Sequence, residues 1–232
     1  MTAAGHDEEF PYEKRLEGLL EELRGHSGIQ VDETRLGPIE MPFDNFGEVF
    51  KDLVKWYDLP FGEPIREKFF RYAEVEASWR SADPQSELVG EFSLSHVFRS
   101  VVENHVSDTW EGKDDEEREL YGELRIFDDT PRTGSGRMAA LRATRGTTDP
   151  EIWFFDMRQG ALEMDLDYPA YLDTLLLTKG TIGWQYLFCD AGFGDVGFTP
   201  LAKGLQEMVE VIPRLFPQYD YADLASRLRE RM

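Results

Sequence analysis

The chain reads as an α+β protein, with helices N-terminal and C-terminal to a central sheet that is antiparallel or mixed. Three observations predict this. Apolar residues recur at helical spacing near both ends. Between them, four short runs alternate with period two, punctuated by Gly, Pro, Thr and Asp. No helical pattern intervenes between those runs, so a meander of antiparallel strands fits better than βαβ units. The 232 residues, 41% hydrophobic and 13% aromatic, suffice for a sizeable core.

Residues 1–12 read as a polar tail and residues 13–232 as a single α+β domain. From Glu13, Leu16, Leu19, Leu20 and Leu23 form one face of a helix that stops at Gly25. A loop carrying Gly28, Gly37, Pro38 and Pro42 is expected next. Phe46, Val49, Phe50, Leu53, Val54 and Tyr57 then form a second helical stripe, capped by Asp44 or Asn45 and ended by Pro60. Pro64 suits the first turn of a third helix, running to about Arg80, with Ile65, Phe69, Tyr72 and Ala73 on one face. The first third of the chain is therefore expected to be helical. Residues 88–94 alternate like a strand, and Val97, Phe98, Val101 and Val102 suggest a short helix. Residues 107–119 read as an acidic loop or frayed turn.

The four alternating runs are "ELRIFDD", "RMAALRAT", "EIWFFDM" and "ALEMDLD". The connection "RQG" suits a three-residue hairpin with Gly160 at positive φ, and "TGSGR" at 133–137 reads as a hairpin turn. Pro169 opens a helix with Leu172, Leu175 and Leu176 inward, closed by Lys179 and Gly180. "WQYLF" is a strand or buried turn. Thr199–Pro200 starts a helix with Leu201, Leu205, Met208, Val209 and Ile212 inward, stopped near Pro213. Asp220 begins the last helix, with Tyr221, Leu224, Ala225 and Leu228.

The 25 basic and 46 acidic residues give a net charge of −21. Such a surface repels phosphate and anionic lipid, so neither nucleic acid nor membrane is expected as a direct partner, and a basic protein is. The single cysteine, Cys189, excludes an internal disulfide and lies in an apolar run, where an inert buried thiol is expected. No secretory signal is visible at the N-terminus, and no apolar run approaches the length of a membrane span. A reduced, cytoplasmic protein with no cofactor is the expectation.

Candidate chemistry centres first on Glu163, Asp165 and Asp167, which would share one edge of a strand. Same-face side chains stand about 7 Å apart along a strand, so they spread rather than converge, and Asp167 precedes a proline-initiated helix that it can cap. "GFGDVG" at 192–197 matches G-x-G-x-x-G, but the helix begins only after it and no second parallel strand follows, so a loop is expected. His96 and His105 would lie on opposite faces of a helix, and no nucleophile-elbow glycines surround Ser93, Ser95 and His96. Residues 103–129 hold eleven acids against three bases, and residues 151–200 eight against two. Flanking a meander with Trp110, Trp153 and Phe154 nearby, these regions suggest a protein-docking surface.

The segment "GSGRMAALRAT…DPEIWFFDMRQGALEMDLDYPAYLDTLLLTKG" resembles the SUKH superfamily, which includes the Smi/Knr-type cell-wall regulator domain and many bacterial immunity proteins. The likeness spans about residues 120–188. It lies in the order of parts: a glycine turn and strand, an aromatic strand ending at Asp156, a short turn, another strand, then a helix with Tyr168, Tyr171, Leu172, Leu175 and Leu176. The resemblance implies an α+β fold without catalysis that binds and inhibits a toxin, commonly one acting on nucleic acid. On this reading Asp114, Asp115, Glu116 and Glu117, with Glu163 and Asp165, pair with basic residues of the partner, and Trp110 is an apolar anchor. The alternatives are a hydrolase using Glu163, Asp165 or Asp190 with a divalent cation, and a regulatory scaffold of the cell-wall type.

Overall fold

The computed structural model describes residues 10–40, 42–191 and 199–232. A seven-stranded sheet forms in strict sequence order, every neighbouring pair antiparallel. Its strands are β1 (Ile29–Pro38), β2 (Tyr72–Ser81), β3 (Val89–Ser95), β4 (Leu124–Asp129), β5 (Arg137–Arg142), β6 (Ile152–Asp156) and β7 (Gly160–Glu163). The helices are α1 (Pro11–Gly25), α2 (Phe46–Tyr57), α3 (Glu63–Arg66), α4 (Val97–Glu103), α5 (Asp115–Glu123), α6 (Tyr168–Thr178), α7 (Thr199–Leu215) and α8 (Ala222–Arg231). The architecture is α+β, and the sheet is antiparallel throughout rather than mixed.

Alternation along the strands gives the sheet two differently covered faces. On the inner face, Val75, Ala77, Trp79, Phe92, Leu94, Phe127, Leu141, Ile152 and Phe154 join the large core with the leucines of α1 and the apolar faces of α6, α7 and α8. On the outer face, Met138, Ala140 and Phe155 meet Val106, Tyr121 and Leu124 in a smaller cluster. Beside it, the outer face of β1–β3 is polar. Arg35, Glu76, Ser93 and Asp129 lie there in one cross-strand row.

Four expectations from the sequence need correction. The segment from Gly28 to Pro38 is a strand, not a loop. A register shift between Val31 and Glu33 moves its inward positions from Ile29 and Val31 to Thr34 and Leu36, which hides the period-two signal. The third helix is only four residues long, and Tyr72–Ser81 is a central strand, so the first third is not all helix. Val75, Ala77 and Trp79 alternate inward with Glu74, Glu76, Ser78 and Arg80 outward, and pairing on both edges overrides any helical tendency. The acidic segment 107–119 is not a loop throughout, since α5 begins at Asp115. Finally, α1 starts at Pro11, and Tyr12, buried with its hydroxyl donating to the Leu172 carbonyl at 3.2 Å, belongs to the core rather than to a tail.

Other expectations match. Asn45 caps α2, its Oδ1 accepting from the Glu48 N–H at 3.1 Å. The four meander strands form where the alternation places them, and Gly160 takes φ +85° in the β6–β7 turn. "WQYLF" is a buried 3₁₀ turn (Trp184–Phe188). Helix α7 runs one short step past Pro213, to Leu215. At Gly90, opposite Trp79, a Cβ would stand 2.3 Å from the indole, so the glycine lets the ring cross β3 and donate to the Lys179 carbonyl at 2.7 Å. No helix among the described residues is long and apolar enough to cross a membrane.

Candidate functional site

The acidic segment is seated on the sheet by apolar side chains and displays its carboxylates on the far side. Tyr121 of α5 packs edge-on to Phe155 of β6 at 5.4 Å between ring centres, and Trp110 packs on the same ring at 5.6 Å. Gly112 lies so close to the first turn of α5 that a Cβ there would meet the Arg118 nitrogen at 2.4 Å. The chain from Trp110 to Tyr121 is thus a folded platform. Trp110, the apolar anchor expected from the sequence, is half-buried here. Its ring is part of the packing beneath α5, and its Nε1 is buried without a hydrogen-bond partner among the described residues.

Asp114 is the N-cap of α5, its Oδ1 accepting from the Glu117 N–H at 2.9 Å. Asp115, Glu116 and Glu117 fill the first turn, where the exposed N–H groups and helix dipole favour negative charge. Asp115 is 98% exposed at its side chain, and its bond to Arg118 leaves the carboxylate open to solvent. Glu117 turns back to accept from the Lys113 N–H at 2.8 Å and Nζ at 3.3 Å, which removes it from the outward set. Glu111, Asp114, Glu116 and Glu119 are exposed, so the ridge retains a strong negative excess.

The structure separates the three carboxylates of "EMDLD". Glu163 ends β7, paired with Trp153, and points to the same outer face that carries α5. Asp165 lies beyond the strand and reaches Arg227 of α8 at 3.3 Å, while Asp167 caps α6 through the Ala170 N–H at 2.8 Å. Asp115, Glu116 and Glu163 therefore share a side of the molecule, and Asp165 does not join them. Among the described residues no group of three or more His, Cys, Asp or Glu side chains could hold a metal ion. The 192–197 motif lies outside the described residues.

Sequence reasoning missed the polar face of β1–β3, because it read β1 as loop and β2 as helix, although it placed β3 as a strand. Arg35 bridges Glu74 at 2.8 Å and Glu76 at 2.7 Å, Arg132 pairs with Glu33 at 2.9 Å, and Arg80 pairs with Asp32. The Arg35 hydrogen bond holds the Glu76 carboxyl below its ordinary range. Asp32, Glu33, Glu74 and Glu76 are thus paired with arginines, whereas on α5 Asp115 and Glu117 are paired and, among the described residues, Glu116 and Glu119 are in no ion pair.

The buried ionisable groups hold the fold together. Burial pushes the Asp128 carboxyl up to about 7 despite its bonds from the Tyr171 hydroxyl at 2.7 Å and the Ser93 N–H at 3.1 Å. Burial would likewise raise Asp156, but bonds from Tyr186, the Arg158 N–H and Arg137 outweigh it and hold the carboxyl low. His96 caps α4 through Nδ1 and is held neutral, its pKa lowered to about 3 by burial. The Cys189 thiol is pushed up to about 12 by burial, as expected of an inert core residue.

No family model, curated protein or solved structure matches the chain.

Proposed function

We propose that the chain is a binding protein whose acidic ridge docks a basic surface of another protein and, as an immunity protein would, neutralises a toxin domain by covering it. The observation that carries this reading is the outward first turn of α5, with Asp115 almost wholly exposed on a platform fixed by Tyr121 and Trp110. A rigid site keeps the ordering cost of binding small. Its charge, within a chain of net −21, would steer a basic partner and raise its association rate roughly 10- to 1,000-fold at low salt. The resemblance to SUKH immunity proteins supplies the partner class, a toxin acting on nucleic acid, and such enzymes carry basic surfaces of their own. A hydrolase using Glu163, Asp165 or Asp190 with a divalent cation would need converging carboxylates, and Asp165 turned to Arg227 while Glu163 faces the side of α5 speaks for binding instead.

The test is surface capture of a basic toxin domain with the parent chain and with Asp115→Lys combined with Glu116→Lys. Association should slow by at least about tenfold in the variant and fall steeply with added salt in the parent. Binding that is indifferent to both would refute the ridge as the docking element.

A further inference from the structure

The C-terminal half of α2 carries the opposite chemistry. Val54, Trp56 and Tyr57 are exposed there, with Trp56 66% accessible, an unusual concentration of large apolar side chains in four residues. A concavity of about 470 Å³ runs along one flank of the helix, lined by Phe50, Lys51, Val54, Lys55 and Arg66. Another, of about 220 Å³, lies at Trp56 and Tyr57, and Val101, Arg125 and Arg145 help to line it.

The cations here differ from most of those elsewhere. Lys55 lies over the Trp56 ring at 4.2 Å, and Arg66 lies over Phe50 at 4.8 Å and donates to the Phe61 carbonyl. Arg125 donates to the Gly122 and Leu124 carbonyls, and Arg145 is exposed. Among the described residues none of these four pairs with a carboxylate, although acids outnumber bases 46 to 25 in the chain. Only Lys51 in this group is bridged, to Glu48 at 3.1 Å.

We propose that this face of α2 is a second docking surface, for an acidic segment of a partner protein that seats an apolar side chain against Trp56 and sets carboxylates on Lys55, Arg66, Arg125 and Arg145. Charge complementarity argues for that occupant. Lys55, Arg66 and Arg145 have no carboxylate partner among the described residues and Arg125 is attracted by Asp108 and Glu123 without an ion pair, so the apolar centre has a cationic rim, the arrangement of an aromatic anchor with a charged rim. Nucleic acid meets the same cations, but it carries a charge on every phosphate along its length and so bears the repulsion of the whole chain, whereas a short acidic segment with an apolar centre bears it only locally. A second copy would bring together two bodies of like net charge. Through Arg125 the surface adjoins the last turn of α5 at the Gly122 carbonyl, but it shares no residue with the acidic first turn, and the proposal does not rest on the reading given for that ridge.

Fluorescence anisotropy with a labelled peptide of glutamates around a central leucine pair tests it, beside a lysine-for-glutamate control peptide and an oligonucleotide. The glutamate peptide should bind, lose affinity with salt, and weaken about tenfold in Trp56→Ala and further in Lys55→Glu combined with Arg145→Glu. These side chains are at the surface, and an unchanged melting curve establishes that each variant is folded. The idea is overturned if the control peptide binds equally, if the substitutions leave affinity unchanged, or if the oligonucleotide is preferred. Self-association of the chain that Trp56→Ala abolishes would overturn it as well, by assigning the surface to a second copy.

Discussion

Asp128 shows at the scale of one residue how position overrides composition. In the sequence it is one of eleven acids in a charged stretch, and nothing distinguishes it from Asp129 beside it. The register of β4 turns it inward beside Leu94, where Tyr171 meets it. Its folded pKa of about 7 exceeds the ordinary 3.8, so the folded chain keeps a proton that the unfolded chain has released. Stability contributed by this group is therefore full below about pH 4 and is lost as pH rises towards 7. At 1.36 kcal/mol per unit the loss approaches about 4 kcal/mol. Asp128→Asn, which retains an acceptor for Tyr171 and carries no charge, should raise the melting temperature at pH 8 and leave it nearly unchanged at pH 4. Equal effects at both values would show that the carboxyl ionises freely in the fold.

At the scale of elements, the legible ones carry their own end signals. Helix α2 has an apolar stripe, an asparagine cap and a closing turn, and it forms at the residues expected. Asn45→Ala should cost about 1 kcal/mol in urea unfolding, whereas Asp44→Ala, at the other candidate cap, should cost markedly less. Strand β2 shows the opposite case. Its inward residues Val75, Ala77 and Trp79 include a small one, and Ile65 and Phe69 upstream mimic a helical face with its own first residues, Tyr72 and Ala73. Only pairing with β1 and β3 decides the matter, and that pairing is not local. The platform of the α5 ridge was hidden for a related reason. Tyr121 and Trp110 read as isolated aromatics until the β6 hairpin supplies Phe155 beneath them. The acidic residues themselves were plain in the sequence; which of them face outward was not.

Across the whole molecule, the chain's two ends are tied together around a sheet that otherwise pairs only with its neighbours in sequence. Tyr12 bonds the Leu172 carbonyl, Arg15 bridges Asp173 at 2.7 Å, Glu22 holds the Lys179 ammonium, and Gln218 donates to Glu22 at 2.6 Å. This sets an order for synthesis. Each strand can pair soon after it emerges, because its partner is always the one before it. Helix α1 can meet β1 and β2 early, with Glu13 taking Arg71 and Glu17 the Tyr72 hydroxyl, but its ties to α6 and residue 218 form only late in translation, and until then its row of leucines is incompletely covered. A chain ended after Glu163 should therefore bind a hydrophobic dye strongly and the full chain weakly. Equal dye fluorescence would show that α1 finds its place without the C-terminal helices. The ties that close the leucine face of α1 are thus among the last to form, and until the final third of this chain has arrived that face offers apolar surface to a chaperone.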